Sequence, residues 1–213
     1  MRSRTTITFW LMIALAALIG WGALASMVHQ PAFTRLDFAL TQQLHADNGG
    51  GYESGLSIIG EFGRSILVFV MLELTVWLWL RRSWSDLLGL LAVVGGGFVA
   101  NYAARQMMAA PRLPLHAPFV LWRDTGFPSG HAMMATIAYG LLMWAVFPRI
   151  AREQRTAAVA GVAGLVLLVG YTRLYFGEHY LSDVAGGYLL GLAWLAACLA
   201  ALTWRGARMA SSD

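Results

Sequence analysis

Tyr171–Asp183 reads YTRLYFGEHYLSD and sets an arginine, a histidine and an aspartate inside an otherwise apolar sequence. Hydrocarbon does not tolerate such groups without a function or a partner. His179 and Asp183 are four residues apart, one helical turn, so in a helix the carboxylate reaches one ring nitrogen and leaves the other aimed outward. That arrangement holds a nucleophilic or basic histidine. Arg173 lies six residues before His179, and Gly177 between them lets the chain bend and return the guanidinium over the imidazole. A fixed cation beside an oriented histidine suits a phosphoryl group.

The flanks of this stretch decide the class. With 58% hydrophobic and 12% charged residues and a mean hydropathy of +0.60, the chain is far from a soluble domain, in which about a quarter of residues are charged. It reads as a protein that crosses the membrane several times. Ile7 to Met27 is apolar throughout and, at 1.5 Å per residue, gives roughly 31 Å of helix, enough for one crossing. A cleaved signal peptide is the alternative, but the run is longer than a signal-peptide core, which favours a retained span. Five more spans are expected over Ser57–Leu80, Leu87–Met108, Gly130–Phe147, Ala157–Tyr175 and Tyr180–Trp204.

Between spans one and two, Phe33, Leu36, Leu40 and Leu44 share a helical face, with Arg35, Asp37, Gln42 and Gln43 elsewhere. The pattern suggests a short amphipathic helix in the membrane interface, a simple loop being the alternative. Gly49-Gly50-Gly51 follows as a flexible joint. The expected fold is therefore all-α: an integral membrane bundle of six transmembrane helices with that interfacial helix, one domain over residues 1–213.

The basic residues are all arginine, so the net charge of +4 reflects membrane topology and not nucleic-acid binding. Arg2, Arg4, Arg81, Arg82, Arg149, Arg152, Arg155, Arg205 and Arg208 fall on one side of a six-span chain and should face the cytoplasm. Trp77, Trp79, Trp84 and Trp204 flank these ends as interfacial anchors. Arg35, Arg64, Arg105, Arg112, Arg123 and Arg173 fall on the other side. Cys198 is the single cysteine, which excludes an intrachain disulfide and a cysteine metal cluster. Gly161, Gly164, Gly186, Gly187 and Gly191 read as helix-packing positions.

Two further stretches share the side of Tyr171–Asp183. Phe127-Pro128-Ser129-Gly130-His131 opens an apolar run, and a helix beginning there leaves free N–H groups able to bind an anion. Arg105 and Arg112 stand seven apart at the end of the preceding run. The trio resembles the signature of the type 2 phosphatidic acid phosphatase family, relatives of vanadium haloperoxidases and bacterial acid phosphatases. That signature is Lys, six residues, Arg-Pro; then Pro-Ser-Gly-His; then Ser-Arg, five residues, His, three residues, Asp. Pro128-Ser129-Gly130-His131 matches fully, as do Arg173, His179 and Asp183 in identity and spacing. Arg105 stands for the lysine, Leu113 for the proline after Arg112, and Thr172 for the serine. Arginine for lysine exchanges a compact ammonium for a planar fork.

The resemblance implies that His179 attacks phosphorus in line, oriented by Asp183, and that His131 protonates the leaving oxygen. Arg105, Arg112, Arg173, the Ser129 hydroxyl and the Gly130 amide would hold the nonbridging oxygens. No cofactor and no metal is expected, since two histidines and scattered carboxylates form no metal-ligand spacing.

The implied substrate is a lipid phosphate met among membrane lipids at the outer face of a bacterial inner membrane: undecaprenyl diphosphate, phosphatidylglycerol phosphate, phosphatidic acid or a lipid A phosphate. Polyprenyl diphosphate is narrowly preferred. A phosphotransferase using the same histidine and an inactive lipid-binding or transport relative are the alternatives. A vanadate-dependent peroxidase would be larger and soluble, so six spans argue against it. The sequence does not set the oligomeric state. Outside the motifs, His116 and Arg123 read as a loop residue and an interfacial anchor, and Asp124 and Glu178 either orient arginines or face water. Glu73, inside span two, reads as snorkelling or hydrogen-bonded between helices.

Overall fold

A computed structural model describes residues 2–44, 53–108 and 126–209. The chain runs through α1 (Arg2–Met27), α2 (Pro31–Leu44), α3 (Glu53–Glu61), α4 (Ser65–Leu80), α5 (Trp84–Met107), α6 (Gly130–Val146), α7 (Arg155–Tyr175) and α8 (Leu181–Met209). Two short 3₁₀ turns, Phe147–Arg149 and Arg152–Gln154, join α6 to α7. Six helical segments are long and apolar enough to cross a membrane, with α3 and α4 together making the second. The six-span reading and the helix between the first two spans are borne out.

The core is the pairing of α6 with α8. Gly187 and Gly191 let the two backbones touch: a Cβ on Gly187 would stand 2.5 Å from the Ser129 carbonyl oxygen and 2.9 Å from the Ala132 Cβ, and one on Gly191 would stand 2.8 Å from the Met133 carbonyl oxygen. Below this crossing Met133, Ile137 and Leu141 interlock with Leu195 and Leu199, joined by Leu87, Leu90 and Val93 of α5. The Trp194 indole lies on the glycines Gly96 and Gly97 of α5 and donates its N–H to the Val93 carbonyl at 2.8 Å, which satisfies a polar group where hydrocarbon would not. α1 runs along α8, with Leu189 against Gly20.

Three expectations change. The second span is broken, because α3 ends at Glu61 and α4 starts at Ser65. The corner is pinned by the Tyr139 hydroxyl, which donates to the Phe62 carbonyl at 2.6 Å. Gly161 and Gly164 meet nothing that a Cβ would touch. They lie on the outward side of α7 and are not packing positions, whereas Gly186, Gly187 and Gly191 are. On α2 it is the polar side that meets protein: Asp37 and Thr41 are buried, while Leu36 and Leu40 face outward. Part of the apolar stripe, Leu36 and Leu40, thus points to the surroundings, while Leu44 packs against Ala132, Leu174 and Val184 and the polar Asp37 and Thr41 dock on the start of α8. Gly49-Gly50-Gly51 lies outside the described residues.

The end of the bundle far from α8's start carries the arginines. The Arg81 guanidinium sits 4.7 Å over the Trp77 ring and that of Arg208 4.0 Å over Trp204. The Arg205 guanidinium bonds to Ser85 Oγ, tying the end of α8 to the beginning of α5. Glu73 lies on the exposed side of α4.

Candidate active site

Opposite that end, the start of α6, the end of α7 and the start of α8 converge. The chain leaves α7 through Phe176 and turns at Gly177, whose φ of 67° lies in the left-handed region that glycine tolerates. The Glu178 and His179 amides both donate to the Arg173 carbonyl, at 2.9 and 3.3 Å, closing a tight corner. α8 then begins at Leu181 and carries Asp183 in its first turn.

Asp183 is the junction of two motifs. Its side chain is 1% exposed; Oδ2 accepts from the Tyr180 amide at 3.0 Å and stands 3.4 Å from His179 Nδ1. Hydrogen bonds of this length are common at catalytic sites that hold no substrate. The Asp183 carbonyl in turn accepts from the Ser129 amide at 2.9 Å. One residue therefore orients the imidazole through its carboxylate and fixes the start of α6 through its backbone. With Nδ1 facing the carboxylate, Nε2 is the ring nitrogen on the side away from Asp183.

Ser129 is the N-cap residue of α6 in extended conformation. It is fully buried, and its hydroxyl has no hydrogen-bond partner among the described residues. A buried hydroxyl left open beside the first N–H groups of a helix is a donor set for an anion. Gly130 follows, facing Asn101 of α5, whose Oδ1 would stand 3.3 Å from a Cβ there. Asn101 Nδ2 contacts the Met133 sulfur at 3.4 Å, so this residue locks α5 to the start of α6. Arg105 lies one turn farther along α5, in its last turn. His131, the second residue of α6, is within electrostatic reach of Arg173, His179, Arg64 and Glu61, and the α3–α4 corner leans on it through Gly63.

Arg173 is 7% exposed and held on two edges. Nε and Nη2 donate to Thr172 Oγ1, each at 3.1 Å, and Nη1 pairs with Glu178 Oε2 at 2.7 Å. The Thr172 hydroxyl itself donates to the Val169 carbonyl at 2.7 Å, so both its donor and acceptor roles are used. Glu178 is thus the arginine partner, the first of its two sequence readings. The guanidinium also abuts Gly60 of α3 so closely that a Cβ there would collide with it.

The structure brings His131, His179, Asp183, Ser129, Gly130 and Arg173 to one end of the bundle and places Arg105 on the adjoining helix end. Arg112, Leu113, His116, Arg123 and Asp124 lie outside the described residues. Sequence reading missed Gly126: a Cβ there would collide with Asp183 Oδ2 and stand 3.4 Å from His179 Nδ1. Its position two residues before Pro128 was the available signal.

The model of the family described as the PAP2 superfamily matches residues 99–207, a span that contains all three motifs. The chain belongs to the PAP2 superfamily. Among curated relatives, phosphatidylglycerophosphatase B of Bacillus subtilis (strain 168) is 34% identical over 116 residues, which are 53% of this chain and 55% of that protein. Lipid A 4'-phosphatase of Rhizobium etli is 40% identical over 77 residues, 36% of this chain and 28% of that protein. The matches thus span about half or less of the curated relatives' length. The crystal structure of a transmembrane PAP2 type phosphatidylglycerolphosphate phosphatase from Bacillus subtilis superposes with a TM-score of 0.76 at 23% identity, over 92% of this chain and 96% of that one. That likeness is one of fold, and it matches the arrangement of membrane-crossing helices described above. At the position where the PAP2 signature carries serine, Thr172 supplies a hydroxyl that accepts from Arg173 Nε and Nη2.

Proposed function

We propose that this chain is a lipid phosphatase that hydrolyses phosphate monoester or diphosphate headgroups through a phosphohistidine on His179. The observation that carries the reading is the double use of Asp183, whose carboxylate faces His179 Nδ1 while its carbonyl holds the Ser129 amide. A nucleophile and an anion-binding helix start are thereby set in one frame. The names of the relatives, a phosphatidylglycerophosphatase and a lipid A phosphatase, support the substrate class.

In this scheme His179 Nε2 attacks phosphorus as the bond to the leaving oxygen breaks, and His131 gives that oxygen its proton. Water, relieved of a proton by His131, then attacks the phosphohistidine and releases inorganic phosphate. Arg105, Arg112 and Arg173, with Ser129 Oγ and the Gly130 amide, neutralise the nonbridging oxygens, which is the main demand of phosphoryl transfer. Because protein cations meet that charge, the scheme runs without metal. Undecaprenyl diphosphate, phosphatidylglycerol phosphate, phosphatidic acid and lipid A phosphates are the candidates, with polyprenyl diphosphate preferred. The chain works as one domain in a bacterial inner membrane. Its site faces the outer leaflet because the arginine-rich helix ends lie opposite.

Purified protein assayed on a panel of these lipids should release phosphate, with EDTA leaving the rate unchanged. His179→Ala should lower the rate by about 10⁴-fold or more; residual activity near wild type would remove His179 as nucleophile. Orientation is checked with an added cysteine at Ala117 and another at Ala151. An impermeant thiol reagent applied to intact cells should label only the first.

A further inference from the structure

We propose that Asp37 and Thr41 of α2 are positioning residues for the His179–Asp183 pair, an inference that rests on the hydrolase reading above. The first turn of a helix leaves N–H groups without intrahelical acceptors. In α8 two of these, Leu181 and Ser182, are satisfied by the distant helix α2. The Leu181 amide donates to Thr41 Oγ1 at 3.0 Å and the Ser182 amide donates to Asp37 Oδ1 at 3.0 Å. Ser182 Oγ also donates to Asp37 Oδ2. The Thr41 hydroxyl spends its own proton on the Asp37 carbonyl at 2.7 Å, which leaves a lone pair directed at Leu181.

The side chains that make this clamp are buried: Thr41 is 0%, Asp37 5% and Ser182 4% exposed. Four residues apart on α2, Asp37 and Thr41 share a face, and together they grip the two residues between Tyr180 and Asp183. A carboxylate against helix N–H groups is a charge-assisted contact reinforced by the helix dipole. The grip falls where displacement would matter most. His179 precedes α8 and has no helical ladder of its own, so the separation of its ring from Asp183 depends on how the first turn of α8 is seated. The same turn sets the Asp183 carbonyl against Ser129. A helix at the membrane interface thus acts on the nucleophile without touching substrate.

The test uses the full chain in detergent, with kcat and KM measured on phosphatidic acid and folding followed by thermal unfolding. Thr41→Val removes one hydroxyl at constant shape, and Asp37→Leu removes the carboxylate. Each should lower kcat by roughly 10- to 100-fold, the scale of a small misplacement of reacting groups, with KM changed less than about twofold. Thr41→Ser and Asp37→Asn, which keep an acceptor for the amides, should return kcat to within about threefold of wild type. A purely structural role would lower the yield of folded protein and its melting temperature while leaving kcat per folded molecule intact, and that result overturns the inference. So does a fall in Thr41→Ser equal to that in Thr41→Val. If Asp37→Leu does not fold, Thr41→Val alone decides by the same criterion. His179→Ala separates the two levels: if it stays active, the hydrolase reading and this inference both fail, and if it is dead beside fully active Thr41→Val, the inference fails alone.

Discussion

The two ends of this bundle use the same side chain in opposite ways. At the end formed by the last turns of α4 and α8, Arg81 and Arg208 are exposed and lie over Trp77 and Trp204. Their charge stays in contact with the surroundings while the aromatic faces anchor them. At the other end Arg173 is buried, with Thr172 and Glu178 occupying edges of its guanidinium. A buried charge is expensive unless its hydrogen bonds are met, and here Thr172 and Glu178 meet them. Counting arginines separates the ends; their partners distinguish an exposed anchor from a buried charge held on its edges.

The contrast is sharpened most by Arg173→Ala, which should cost about 10³-fold in kcat/KM on a lipid phosphate, the upper range for removing one preorganised donor. Steady-state kinetics on folded protein check this, and a loss under threefold would make the site arginine no different from an anchor. Next comes Gly126→Ala. Its methyl group would occupy the space of Asp183 Oδ2 and should displace the pair enough to cost roughly 10²-fold in kcat, with circular dichroism showing the helices intact. The smallest effect belongs to Arg81→Ala, which should leave turnover unchanged and lower stability by at most about 1 kcal/mol, the scale of an exposed cation–aromatic contact. Thermal unfolding reads that loss. A drop in turnover there would break the distinction between the ends.

The spans were legible because apolar runs long enough for a bilayer allow few other structures. The site was legible in part: His179 and Asp183 do meet and Gly177 does turn the chain. But His179 lies before α8 and not within a helical turn of it, so the contact comes from the corner at 176–180 and not from helical spacing. What escaped reading depends on partners distant in sequence. Asp37 looks like the wet side of an amphipathic helix, and nothing local to it announces Ser182, 145 residues away. Gly161 and Gly186 are both glycines in apolar helices, yet only Gly186 has a ring, that of Phe127, pressed where its Cβ would be. The corner at Phe62–Arg64 was hidden because the helices on either side of it together are apolar enough to pass for one span.

The direct backbone contact of α6 and α8 at Gly187 and Gly191 has a mechanical result. With no side chain between them to serve as a cushion, the two rods cannot slide past each other without steric collision. Ser129 and Asp183 ride at the tip of this pair, and the hydrogen bond between their backbones inherits the spacing that the glycine crossing sets.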